Sequence, residues 1–183
     1  TGIHYIGGLS EGQNLYKYFN YLGIMSDLKL KKMDENGFDI ISFEDLNKEF
    51  PHAQGYENFT NQLLKFFPEE KNAITKYCNQ VIETCNSFPL YNLQHSGEYD
   101  SEILSINAKQ HIDEVTENKL LRAVLGGTNF LYAGIAEKSP FYVHALSVNS
   151  YIQSAWRCIN GGSQITKQLI KQLKKHGGEV YKY

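Results

Sequence analysis

Apolar residues recur at intervals of three and four in two neighbouring segments that Pro68 separates. This spacing predicts two amphipathic helices, because it places the apolar side chains on one helical face. The first stripe consists of Phe59, Leu63, Phe66 and Phe67. The second stripe consists of Ile74, Tyr77, Cys78, Val81, Ile82 and Cys85.

Four other segments have patterns typical of helices: 13–22, 107–125, 141–154 and 163–176. Ser10 and Ser163 stand where N-caps are expected, since a serine hydroxyl accepts a bond from the free amides of a helix start. The helix after Pro140 has a mixed face, formed by Val143, Leu146, Ser147 and Ser150.

Short strands are predicted where β-prone residues are bounded by turn signals. Residues 3–6 (IHYI) end at Gly7-Gly8, and EVYKY at 179–183 begins a strand at the other end of the sequence. The runs LKLKKM (28–33) and FDIISF (38–43) flank DENG, which contains the Asn-Gly turn signal. These two runs are therefore predicted to pair as a β-hairpin.

Composition narrows the class of protein only moderately. The 183 residues suit one domain, and the net charge of −2 gives no attraction to nucleic acid. The uncharged run 139–156 contains too many polar residues for a membrane span. Cys78 and Cys85 lie about 10 Å apart on one predicted helix, too far for a disulfide, so free thiols and a cytoplasmic location are expected.

GLSEG at 8–12 matches the G-x-S-x-G motif of serine hydrolases, which makes Ser10 a candidate nucleophile. That motif requires a sheet built by several preceding strands, and only IHYI precedes it here. A helix cap is the favoured interpretation of Ser10. The chain also lacks the glycine spacing of a dinucleotide site and the ligand spacing of a metal site, so no metal is expected.

Four stretches resemble the flavin-dependent oxidoreductases of the phytoene desaturase, carotenoid isomerase and retinol saturase group. They are GIHYIGGL (2–9), EFPHAQGYENFTNQLLKFFPEE (49–70), SPFYVHALSVNSYIQSAWRCINGGSQI (139–165) and HGGEV (176–180). The retinol saturase-like branch fits best. The order and spacing of the stretches carry the resemblance, which spans nearly the whole chain although 71–125 matches only in pattern.

The resemblance implies an α+β fold: a mixed, mostly antiparallel sheet with a helical cap. Residues 1–183 would form a single substrate-binding domain of an FAD-dependent oxidoreductase. Residues 1–12 and 161–183 would be its junctions to an FAD-binding Rossmann domain outside this sequence. FAD would then belong to the parent enzyme, with none bound by this piece, which alone would be inactive.

The resemblance also suggests which residues approach the cofactor and the substrate. His4, Tyr5, Gly7 and Gly8, together with Gly161 and Gly162, are expected near the flavin, because small residues let backbone approach a ring. Candidates to line the substrate channel are Phe130, Tyr132, Phe141, His144, Tyr151 and Trp156. For each aromatic residue, and for His4 and His144, ordinary core packing is the competing interpretation.

The expected substrate is a long apolar molecule such as a carotenoid or retinoid, but the sequence leaves open whether the parent saturates, desaturates or isomerises it. The sequence also leaves open whether a membrane surface delivers the lipid. The alternative from another class is a lipid- or partner-binding module with no redox role.

Overall fold

Helices dominate the computed structural model, which describes residues 5–95 and 101–181. The helices within these ranges are α1 (Asn14–Tyr21), α2 (Tyr56–Phe66), α3 (Lys71–Asn86), α4 (Ala108–Asp113), α5 (Lys119–Leu125), α6 (Phe141–Gln153) and α7 (Ser163–Lys175). The strands are β1 (Ile6–Gly7), β2 (Leu30–Lys32), β3 (Asp39–Phe43), β4 (Lys48–His52) and β5 (Ala155–Cys158). The α+β character predicted from the sequence is confirmed.

The larger sheet joins a strand near the start of the described chain to the strand that follows α6. Its strand order is β1-β5-β2, and both pairings are antiparallel. In the register, Ile6 and Lys32 both lie opposite Trp156 of the central strand. Because β5 follows α6 directly, the sheet holds β1 against the C-terminal half of that helix.

The predicted hairpin between LKLKKM and FDIISF is wrong, since β2 pairs with β5 and β3 pairs with β4. DENG does form a turn, in which the Asn36 amide donates to Asp34 Oδ1 over 2.8 Å. The turn redirects the chain without pairing its flanks. The partner of β3 is β4, which contains Pro51. A two-stranded sheet tolerates proline because each strand has a free edge.

The core is formed mainly by α2, α3, α5 and α6 around Phe50 of β4. The predicted helices on both sides of Pro68 are confirmed, with eight of their ten stripe residues buried: Phe59, Leu63, Phe67, Ile74, Tyr77, Cys78, Val81 and Cys85. The two exceptions are Ile82, which is half-buried, and Phe66, which is 42% exposed. Cys78 and Cys85 are free buried thiols, as expected.

Other predicted boundaries and caps change. The segment 107–125 forms two short helices, because Asn118 caps the second through bonds from the amides of Leu120 and Leu121. The N-cap of α1 is Gln13 and that of α7 is Gly162, so Ser10 and Ser163 are not caps. Residues 179–181 form no strand. Within the described ranges, no helix has the length and apolar character that crossing a bilayer requires.

Candidate functional site

A groove of about 480 Å³ lies between β1, α1, the Leu90–Tyr91 turn and the C-terminal half of α6. Its lining is Tyr5, Ile6, Gly7, Gly8, Asn14, Leu15, Tyr18, Leu90, Tyr91, Leu146, Ser147, Ser150, Tyr151 and Gln153. None of these residues carries a formal charge. A volume of this size and an apolar lining with a few polar groups are typical of a site for a small organic molecule.

Four of the predicted site residues meet in this groove: Tyr5, Gly7, Gly8 and Tyr151. The rings of Tyr5 and Tyr151 pack edge to face with their centroids 5.1 Å apart. The Tyr5 hydroxyl donates to Asp39 Oδ2 over 2.5 Å. Burial, with the Asp39 carboxylate beside it, raises the pKa of Tyr5 well above its usual range, so this residue is a neutral wall of the groove.

Gly7 and Gly8 have different structural reasons to be glycine. A Cβ on Gly7 would lie 2.6 Å from Ser150 Oγ and 2.7 Å from the Ser150 carbonyl carbon. Gly7 is thus required for the contact of β1 with α6, at the base of the groove. Gly8 has a φ of +63°, which favours glycine at the turn after the strand.

Gly161 and Gly162 do not join the groove. Gly7 lies opposite Ala155, whereas Gly161 comes three residues after Cys158, at the other end of β5. A Cβ on either of these glycines would meet no atom within 4 Å. His4 lies outside the described residues. Flavin contact by His4, Tyr5 and the four glycines therefore stays a prediction.

Three of the predicted channel residues, Tyr132, Phe141 and His144, cluster away from this groove; Phe141 and His144 are buried in the core, and Tyr132 is half-buried. His144 is fully buried, and its Nε2 and Nδ1 lie 2.7 and 2.9 Å from the hydroxyls of Tyr77 and Tyr132. Burial lowers the pKa of His144 to about 3. A neutral imidazole with both nitrogens satisfied has the properties of a structural histidine, which is the competing interpretation given above.

The last two predicted channel residues lie apart from the groove lining. Phe130 is 65% exposed, in the turn after α5. Trp156 lies in β5, and its indole nitrogen donates to Ser10 Oγ over 3.2 Å. No hydrogen bond links the Ser10 hydroxyl to a histidine or a carboxylate in the described part of the chain, so the structure offers this serine no general base.

Sequence reasoning missed several residues that complete the groove. Tyr91 accepts a hydrogen bond from Asn149 Nδ2 over 2.8 Å, and its carbonyl accepts one from Asn14 Nδ2 over 2.6 Å. Leu146, Ser147 and Ser150 come from the mixed face predicted for α6. That face was the one sequence pattern that could have indicated these residues. Residues 5–95 and 101–181 bring together no group of histidine, cysteine, aspartate and glutamate that could hold a metal.

The curated relatives that match this chain are oxidoreductases. No family model matches the chain. Its curated relatives confirm the resemblance to the retinol saturase branch of the phytoene desaturase-like oxidoreductases.

The particular relatives are all-trans-retinol 13,14-reductases. The chain is 30% identical to the enzyme of Danio rerio, 28% to that of Rattus norvegicus and 26% to that of Homo sapiens. In each case the match covers 98% of this chain and 32% of the relative. The chain therefore spans about a third of the length of the curated relatives it matches.

Proposed function

We propose that this chain is the substrate-binding part of an FAD-dependent oxidoreductase that reduces a carbon–carbon double bond of a retinoid-like molecule. The groove beside β1 is the proposed site for that molecule. The observation that carries the proposal is the uncharged lining of the groove, where Tyr151, predicted to line the substrate channel, meets Tyr5, Gly7 and Gly8, predicted to lie near the flavin. The relatives, named for reduction of all-trans-retinol, support the choice of substrate class.

The groove suits a conjugated chain with a terminal hydroxyl. Tyr5, Tyr18 and Tyr91 supply ring surface, and Leu15, Leu90 and Leu146 supply aliphatic surface. Apolar walls favour burial of a polyene by about 25 cal/mol per Å² removed from water. The Ser150 hydroxyl is occupied by the Ser147 carbonyl at 2.7 Å, whereas the Ser147 hydroxyl has no bond within the described residues. Ser147 is therefore the proposed partner of the substrate hydroxyl.

FAD is part of the proposal, but the residues of the groove do not fit a complete FAD site. The pyrophosphate of a dinucleotide is usually held by a glycine-rich turn and a helix N-terminus, or by cations. The groove has no lysine or arginine in its lining, and Ser150 fills the space beside Gly7. We assign the hold on FAD, which carries hydride chemistry in such enzymes, to sequence outside this chain.

Retinol titration tests the groove. All-trans-retinol should quench the fluorescence of the purified chain, which contains one tryptophan and 13 tyrosines. Ser147→Phe places a ring in the groove and should weaken retinol binding by about tenfold or more, the equivalent of about 1.4 kcal/mol. Ser26→Phe is the matched control, because Ser26 is exposed and lies outside the groove lining.

Two results would contradict the groove assignment: a folded chain that does not bind retinol, or equal loss of binding in both serine variants. Circular dichroism on each variant establishes that it is folded. Retinol binding without any reduction in the complete flavoenzyme would favour the lipid-binding module instead.

Retention of flavin by the purified chain tests the assignment of FAD binding to other sequence. We expect the purified 183-residue chain to be colourless and to stay so after incubation with FAD and gel filtration. Absorbance in the visible range measures bound flavin against protein concentration. Stoichiometric flavin on this chain would overturn the assignment of FAD binding to other sequence, without bearing on retinol binding.

A further inference from the structure

A second cavity, of about 510 Å³, lies between α4, α5 and the segment 129–139. It shares no lining residue with the groove described above. Tyr132, which lines it, is held from behind by its hydrogen bond to the buried His144. The cavity therefore has a fixed wall and a volume within the range of small-ligand sites.

Small side chains create this space. The apolar part of the lining is Ala108, Ile112, Ala123, Gly126, Gly134, Ile135 and Ala136. Ala108 and Ile112 are buried in the floor, whereas Ala123, Ile135 and Ala136 remain exposed around the opening. An aliphatic chain laid along these residues would remove apolar surface from water on both partners.

The charged part of the lining is predominantly positive. It contains Lys109, Lys119 and Arg122 but one carboxylate, that of Asp113, although the whole chain has a net charge of −2. Asp113 is already paired with Lys109 and lies 3.8 Å from Arg122 Nε. Lys119 forms no ion pair within the part of the chain that the structure describes.

The Arg122 guanidinium is held in place by neighbouring groups of the chain. Its Nε donates to the Thr116 carbonyl over 2.5 Å, and one terminal nitrogen lies 3.2 Å from Glu117 Oε2. The Arg122 side chain is 23% exposed, whereas that of Glu117 is fully exposed. A guanidinium fixed in this way loses little conformational entropy when it binds an anion.

We propose that this cavity binds a small amphipathic carboxylate of the fatty-acid class. The carboxylate lies at Lys119 and Arg122, and the aliphatic chain follows the alanines and isoleucines of α4, α5 and the 129–139 segment. Charge complementarity selects the head group, and the apolar part of the lining accommodates the aliphatic chain. This site is separate from the retinoid groove and does not depend on its function.

Calorimetric titration with dodecanoate and dodecanol tests the proposal, because the two ligands share a chain and differ in head group. Below their aggregation limits, dodecanoate should bind about tenfold or more tightly than dodecanol, a difference of about 1.4 kcal/mol. The difference should shrink in high salt, which screens exposed charges. Lys119→Gln should weaken dodecanoate binding about three- to fivefold. Lys174→Gln, an exposed lysine on α7, is the control and should have no effect.

A second experiment fills the cavity with a larger side chain. Ala123→Phe, and independently Ala136→Phe should the first variant fail to fold, should abolish dodecanoate binding while retinol binding is unchanged. Equal affinities for dodecanoate and dodecanol would overturn the proposal. So would dodecanoate binding that survives both phenylalanine variants but is lost in Ser147→Phe, since this result would place the carboxylate in the retinoid groove.

Discussion

Lowering the pH from 7 to 5 is expected to destabilise the folded chain by about 2 kcal/mol for each of two buried histidines. Burial lowers the pKa of His144 to about 3 and that of His52 to about 4. In the unfolded chain a histidine titrates near pH 6.5, so below that pH the unfolded state binds protons that the folded state does not. The folded chain is therefore most stable above about pH 6.5, and its free energy of unfolding decreases as the pH falls toward the two lowered pKa values.

The surroundings of both rings favour the neutral form. The two phenols at His144 match a neutral imidazole, which donates from one nitrogen and accepts at the other. Protonation would turn the accepting nitrogen into a donor and break that match. The His52 ring lies 4.9 Å from the ring of Phe38 and 5.0 Å from that of Phe59, and its Nδ1 has no hydrogen-bond partner among the described residues. The Asp39 carboxylate, which lies opposite His52 in the strand pair, favours the charged form, but the loss of hydration on burial is the larger effect on the pKa of His52.

Urea denaturation at pH 7, 6 and 5 measures the effect as a change in the free energy of unfolding. His144→Gln should lower stability at pH 7, because glutamine fills the site poorly, and should also reduce the pH dependence by about half. His176→Gln is the control, since His176 is exposed at the end of α7. A pH dependence that is the same in all three proteins would contradict the assignment of this effect to His144.

Local patterns predicted the helices better than the sheets. Each stripe around Pro68 lies within a single helix, so its spacing is sufficient to predict it. The pairing of Ile6 with Trp156 joins residues 150 positions apart, and no local signal specifies that register. The hairpin error has the same origin, because the Asn-Gly turn is real while the choice of partner strand depends on the fold around it.

The candidate site was predicted in part for a similar reason. The family resemblance pointed to Tyr5, Gly7, Gly8 and Tyr151, which come from the two segments that the larger sheet joins. It could not separate these residues from His144, which lies on the same helix as Tyr151 but faces the core. Tyr91 belongs to a turn in the segment 87–105, whose residues follow no helical or strand period.

Gly7→Ala should lower the free energy of unfolding by about 2–3 kcal/mol. The added Cβ would lie 2.6 Å from Ser150 Oγ, 2.7 Å from the Ser150 carbonyl carbon and 2.8 Å from its oxygen. Two of these atoms are backbone atoms of α6, so no change of rotamer relieves the contact. Strand β1 must move away from the helix, and the groove must widen at its base. Weaker retinol binding should therefore accompany the loss of stability.

Combining Gly7→Ala with Ser150→Ala separates the contact with the Ser150 side chain from the contacts with the Ser150 backbone. Removing the Ser150 hydroxyl relieves one close contact and leaves both backbone contacts, so rescue of stability in denaturation experiments should be partial. Gly162→Ala is the control, since its Cβ meets no atom within 4 Å and its φ of −70° suits alanine. That control should stay within about 0.5 kcal/mol of the parent. Full rescue by Ser150→Ala would mean that side-chain crowding alone requires glycine at position 7. An unaffected retinol affinity in Gly7→Ala would mean that the contact of β1 with α6 supports the fold but does not shape the groove.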